Sequence, residues 1–275
     1  NKSVAGKIVN EVILRYLESD VDTTKLHFIL NVVKIDDAVL ERVEELLVKG
    51  RELSISFAFE DESVDYFENG IRIYENYNDD ECSSLGRLVV ATTSINMTRL
   101  ALECMGSKDS QFMTKFDEIL ELVKNELLMT FEFIGNKNKD NYNYLFTGNI
   151  TGDERLLPGQ KVRKVIKNSN LNVGLSGLLE AVTIMREDED ERYEFLIEIL
   201  KYANKKVDEF SKSTKLNFMI CESCEEEVRK EFIAFDKAIY GVQKDQKNKN
   251  KYDLVSNLKS IREDYDKLSK IGLFF

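Results

Sequence analysis

Cys221-Glu222-Ser223-Cys224 is the one place in this sequence where two thiols stand at a spacing that supports metal or redox chemistry. Zinc needs three or four protein ligands. The single histidine, His27, is remote in sequence, so no metal site is expected. A CxxC at a helix start can lower a thiol pKa, but Glu222, Glu225 and Glu226 oppose that shift. A redox pair and plain strand-to-helix residues both remain open. Cys82 follows Asp79-Asp80-Glu81, acids that raise a thiol pKa, and reads as a loop cysteine. Asn96 closes an apolar run, where α/β enzymes collect polar groups for substrates. It is equally suited to cap a helix beginning near Met97. Gly174-Leu175-Ser176-Gly177 has the look of a phosphate loop, but it lacks the full glycine fingerprint and a following lysine. The acidic run Arg186–Arg192 reads as a solvated loop and helix start.

The elements that must position these residues follow from periodicity. Ala5, Ile8, Val9, Val12, Ile13 and Tyr16 form a helical stripe, and Leu26–Val33 alternates as a strand. Asp36 caps a predicted helix that ends at Gly50, and Leu53–Phe59 alternates as a half-buried strand. Ile71–Tyr77 is predicted as a short strand and Leu88–Ile95 as a buried one. Phe116–Phe131 and Tyr193–Phe210 carry the apolar stripes of two long amphipathic helices. Between them, Gly135–Asn170 is polar and Asn-rich and is expected to be a mobile excursion or part of a lid. Leu216–Ile220 is a further strand, with helices over Glu222–Ala238 and Tyr252–Lys270. Strands alternating with helices predict an α/β fold with a mostly parallel sheet.

The formal net charge of −11 disfavours nucleic-acid binding, which depends on Lys and Arg neutralising phosphates. Lys244–Lys251 is the local exception and reads as a basic, polar loop. No apolar run is long enough to cross a bilayer. Four cysteines in 275 residues fit a reducing cytoplasm. The first residue, Asn1, suggests a processed chain or a segment of a longer one.

Leu85–Cys104 (LGRLVVATTSINMTRLALEC) resembles the strand-to-helix segment of anaerobic (class III) ribonucleoside-triphosphate reductases, which are glycyl radical enzymes. Leu171–Ala181 (LNVGLSGLLEA) and Ser223–Gly241 (SCEEEVRKEFIAFDKAIYG) agree with the same family in order and spacing. The resemblance implies a partial or reduced glycyl-radical-enzyme-like barrel with surrounding helices. It also implies one domain over 1–275, with a weakly matched part at 1–65, a family-like core at 66–241, and a C-terminal loop and helix at 242–275.

The family's chemistry starts from a cysteine thiyl radical generated by a glycyl radical, in a site shielded from water and oxygen. The best match to the family's cysteine tripeptide is Gly70-Ile71-Arg72, where Ile71 stands in the cysteine position and offers no thiol. The family's glycyl-radical loop and paired CxxC zinc site have no counterpart here, and Gly272 reads as a helix end. The family's T-P-A-E segment falls on Ser223–Glu226, which puts Glu226 in the glutamate position; a helix-start glutamate on the favourable end of the helix dipole fits equally. The resemblance therefore implies Asn96 and Glu226 as candidate site residues and no bound cofactor. Its implied partners are a nucleotide, a reductase or activase, and a second copy of the chain. Three functional readings follow: a catalytically inactive relative that senses or binds nucleotides, a subunit or fragment of a split reductase, and an unrelated helical interaction protein.

Overall fold

The computed structural model describes residues 7–8, 11–12, 14–16, 26–31, 41, 53–58, 65–66, 71–73, 76–78, 86–142, 156–221 and 226–241. The chain divides into two compact units. One comprises Asn1–Glu62, Tyr66–Gly70 and Asp253–Phe275, and the other Ser63–Asp65 with Ile71–Tyr252.

In the first unit the described residues between 7 and 16 are helical, and Arg15 pairs with Glu11 one turn away. Strands β1 (Leu26–Asn31) and β2 (Leu53–Ala58) pair in parallel, with Leu26 opposite Leu53 and Asn31 opposite Ala58. Both predicted strands are present. Two-residue strands β3 (Asp65–Tyr66) and β4 (Arg72–Ile73) follow. Of the predicted strand Ile71–Tyr77, Arg72–Ile73 form β4, and Ile71, Asn76 and Tyr77 are not strand. Tyr77 lies in a turn in which the Asn76 side chain accepts from the Asn78 N–H at 3.1 Å, and the Tyr77 N–H is taken by the Asn217 side chain at 2.8 Å.

The second unit holds a three-stranded parallel sheet in the order β5 (Val89–Asn96), β6 (Asn170–Ser176), β7 (Asn217–Cys221). Parallel neighbours need long crossovers, and here they are helical. Between β5 and β6 run α1 (Met97–Cys104), α2 (Asp109–Gly135) and the short α3 (Arg163–Ile166). Between β6 and β7 run α4 (Leu178–Met185) and α5 (Glu189–Thr214), and α6 (Glu226–Tyr240) follows β7. Among the described residues the structure shows a mixed α/β fold with a small parallel sheet; the partial barrel that the resemblance implies is not shown by these strands.

The two long helices form the core beneath the sheet. Phe112, Phe116, Leu120, Val123, Leu127 and Phe131 recur every three or four residues on α2 and are all buried, giving one continuous stripe. It faces β5, β6 and the matching stripe of α5, where Phe195, Ile199, Ala203, Val207 and Phe210 are buried. The rings of Phe112 and Phe195 meet edge-on at 5.4 Å between centroids. Asp188 caps α5 by accepting from the N–H groups of Asp190 and Glu191, so the acidic run is the helix start it was expected to be. The described ends of the polar excursion are not loose. The Val162 N–H donates to Lys137 O at 2.9 Å, the Lys139 N–H donates to Gln160 O at 3.1 Å, and Asn138 bridges Lys161 in antiparallel fashion. The predicted helix Tyr252–Lys270, the helix after Asp36, Cys82, Cys224, Lys244–Lys251 and Gly272 lie outside the described residues.

Candidate functional site

Side chains alternate across a strand, so paired residues of neighbouring parallel strands share a face. Strand β6 reads Asn170-Leu171-Asn172-Val173-Gly174-Leu175-Ser176, and all seven residues are buried. Leu171, Val173 and Leu175 lie on the face shared with Ile95, Phe218 and Ile220. The opposite face carries Thr92, Ser94 and Asn96 from β5, then Asn170, Asn172, Gly174 and Ser176 from β6, and Asn217, Met219 and Cys221 from β7. A parallel sheet buried on both sides is ordinarily apolar throughout. This one has a polar face.

That face is satisfied at one end only. At the amino ends of the strands, Arg87 Nη2 donates to Asn170 Oδ1 at 2.9 Å and Arg87 Nε donates to Asn168 O at 2.7 Å. Asn217 Nδ2 donates to Asn168 O at 2.8 Å while its Oδ1 takes the Tyr77 N–H, and the Tyr77 hydroxyl donates to Asp208 at 2.9 Å. Toward the carboxyl ends the pattern reverses. Asn172 is 0% exposed, yet neither its Oδ1 nor its Nδ2 has a hydrogen-bond partner among the described residues; the same is true of Ser94 Oγ and Ser176 Oγ. An unsatisfied buried polar group costs about 1–3 kcal/mol. Four such atoms on one face mark the place where a polar ligand or ordered water would complete the bonding.

Two glycines keep this end narrow. A Cβ on Gly174 would stand 2.5 Å from Ser94 Oγ. Gly177 caps α4 in the left-handed conformation at φ +73, and a Cβ there would stand 2.1 Å from Thr98 Oγ1. The Gly174–Gly177 segment is therefore a tight strand-to-helix turn, as the resemblance implies.

Asn96 sits where β5 passes into α1. Its Oδ1 accepts the Arg99 N–H at 2.9 Å, the helix-capping role. Its Nδ2 donates to Asp236 Oδ2 at 2.9 Å, a contact across 140 residues. Asp236 Oδ1 also receives Arg99 Nε in a close ion pair. The Asp236 side chain is 3% exposed, and a buried carboxylate persists only when paired and hydrogen-bonded, as this one is. Glu226 opens α6. About 15 Å of helix separates its backbone from Asp236, so the observed bonds join Asn96 to Asp236. Ile71 lies immediately before β4 and is half-buried.

Among the described thiols, Cys104 is buried in α1, and burial pushes its pKa up, with Lys115 partly offsetting. Cys221 is buried at the carboxyl end of β7, opposite Gly174 and on the polar face. The sequence reading missed Asn172, Ser176, Arg99 and Asp236. The alternation of Asn, Asn, Gly and Ser with Leu, Val and Leu in β6 was the available signal for the first two. Asp236 was signalled only as a lone acid in the stripe Phe232, Ile233 and Tyr240 of α6. No described helix is long and apolar enough to cross a membrane.

A family model described as anaerobic ribonucleoside-triphosphate reductase matches residues 36–271. A search of curated proteins gave no match. Among solved structures, the anaerobic ribonucleotide reductase from Thermotoga maritima with glycerol in the active site is similar, at 16% identity and a TM-score of 0.56, over 86% of this chain and 38% of that one. The same enzyme in complex with dATP and CTP aligns at 15% identity and a TM-score of 0.54, over 86% and 39%. Its form with dATP bound in the specificity site aligns at 15% and 0.55, again over 86% and 39%. At these identities the likeness is one of fold. The chain spans about two fifths of the length of the structures it matches.

Proposed function

The chain belongs to the anaerobic ribonucleoside-triphosphate reductase family, and from that premise we propose that it is a nucleotide-binding member that does not carry out radical reduction by itself. The observation that carries the binding half is the polar sheet face, satisfied at its base and left with unpartnered Asn172, Ser94 and Ser176 toward the strand ends. Ligands of parallel α/β sheets gather beyond those ends. On this reading the face corresponds to the inner side of a partial barrel, with Asn96 at its rim and Glu226 on the helix that follows β7. The Thermotoga maritima structures, with dATP and CTP, support a nucleotide as the ligand class. The catalytic half rests on Ile71, whose alkyl side chain stands where the family resemblance calls for a thiol.

Thermal unfolding with a panel of ribonucleoside and deoxyribonucleoside triphosphates tests the binding half. A ligand at 100 times its dissociation constant adds about 2.7 kcal/mol. At least one nucleotide should raise Tm where inorganic triphosphate does not. No shift with any nucleotide overturns the reading.

A second reading, in which the chain is part of a split reductase, is favoured by Cys221, a buried thiol on the polar face at the carboxyl end of β7. Deoxynucleotide formation on mixing the chain with a family reductase and its activase would establish it, with loss in Cys221→Ser tying the thiol to the chemistry.

A further inference from the structure

We infer that Asp236 is a positioning residue for Asn96: it fixes the plane and the polarity of the Asn96 carboxamide at the rim of the polar face. The inference rests on the nucleotide-binding reading for its functional consequence, though not for its geometry.

A carboxamide has two donor hydrogens and an acceptor oxygen with two lone pairs, and its two ends are readily exchanged by rotation. A helix cap alone holds only the oxygen. Here the oxygen is committed to the Arg99 N–H at 2.9 Å and the nitrogen to Asp236 Oδ2 at 2.9 Å. Two bonds of opposite polarity leave a single orientation. Among the described residues they also leave one N–H and one lone pair of Asn96 uncommitted, in one fixed plane. Asp236 can enforce this because it accepts only. Its other oxygen is held by Arg99 Nε, so the same arginine supplies both the backbone N–H that takes the Asn96 oxygen and the cation that balances the carboxylate.

The arrangement exceeds what anchoring α6 requires. The Arg99 ion pair by itself joins α6 to α1, whereas the Asn96 bond aims a side chain of β5. Asp236 comes from another helix and is buried, while Phe235 and Ile239 on the same helix are 62% and 61% exposed. The acid is thus the most deeply placed residue described on its helix.

Asp236→Asn provides the test, because an amide at 236 has one acceptor for two donors. Arg99 takes the oxygen, and the NH2 is left facing the Asn96 NH2. With CTP as probe, Asp236→Asn should weaken binding at least tenfold, and Asn96→Ala should do the same. The double variant should be no worse than Asn96→Ala alone. The exchange Asn96→Asp with Asp236→Asn keeps both Arg99 bonds and rebuilds the bond between 96 and 236 with inverted polarity. It should recover the Tm lost in Asp236→Asn, yet it should not recover CTP binding, since position 96 then offers no N–H. Unchanged CTP affinity in Asp236→Asn, or recovery of affinity in the exchanged pair, overturns the inference.

If the unaltered chain binds neither CTP nor any other nucleotide of the panel, the nucleotide reading fails, and the geometry is decided by NMR of the Asn96 side-chain amide. An Asn96 side-chain N–H that is shifted downfield and protected from exchange with solvent, and that loses both properties in Asp236→Asn, supports the positioning role. Signals identical in the two proteins refute it.

Discussion

The Thr98 hydroxyl donates to the carbonyl of Gly177 at 3.2 Å, so the first turn of α1 is tied to the cap of α4 inside the protein. The bond exists because Gly177 has no side chain and can adopt φ +73, a conformation that brings its backbone against Thr98. Helices α1 and α4 pack together beside it.

Gly177→Ala should therefore destabilise the chain by about 2–4 kcal/mol, combining the left-handed penalty of an L-residue with overpacking against Thr98. Urea unfolding measures this. Thr98→Ala in the same background should return only the overpacking part. A loss below about 0.5 kcal/mol would show that the turn can rearrange freely.

Asn172→Leu is expected to act in the opposite direction. The amide is fully buried with neither polar atom partnered among the described residues, so an apolar side chain of similar volume removes an unsatisfied group. The unliganded chain should gain about 1–2 kcal/mol, while nucleotide-dependent stabilisation shrinks. A fall in unliganded stability would mean that the amide is already well bonded, for instance to ordered water.

Lys206 links α5 to α2 through Asp117 at 2.7 Å and Glu121 at 3.0 Å, and the Tyr202 hydroxyl adds a 2.6 Å bond to Asp117. Burial would by itself lower the lysine pKa, but the two carboxylate partners outweigh it and hold it above its ordinary range. The Lys206 bond, then the Tyr202 bond, depresses Asp117; the Lys206 bond likewise depresses Glu121. Depressed acids stabilise the fold above their ordinary values of 3.8 and 4.5, and that contribution disappears as pH falls through the folded-state values. A raised lysine stabilises below 10.5 and loses its contribution as pH climbs beyond that. Because both acids are more than a third exposed, Lys206→Met should cost only roughly 1 kcal/mol at neutral pH. The difference between the variant and the unaltered chain should close at both pH extremes. A gap constant from pH 3 to 11 would assign the loss to packing of the lysine stem over Phe210 instead.

Local pattern made the helices and the parallel strands legible. Phe112 to Phe131 and Phe195 to Phe210 keep helical spacing because each stripe has one job, burial against the sheet and the other helix. The end of β5 was legible for the same reason, since Asn96 is both the last strand residue and the cap. What stayed hidden depended on long-range pairing. The polar face of β6 became meaningful only once Asn172 was set beside Thr92 and Met219. Asp236 acquired a role only when α6 was laid against the start of α1. Tyr77, expected at the end of a strand, lies in a turn instead, where the Asn217 side chain from β7 is the competitor that takes its N–H. No local window contains that competitor.

The span between Asn96 and Asp236 also imposes an order on assembly. During synthesis from the amino end, β5, β6 and β7 can all emerge while α6 is still unmade. Until that helix arrives, the carboxamide of Asn96 is capped but unaimed. On the proposed reading, a ribosome-bound nascent chain that has formed its sheet but not α6 would still be unable to orient Asn96 toward a ligand.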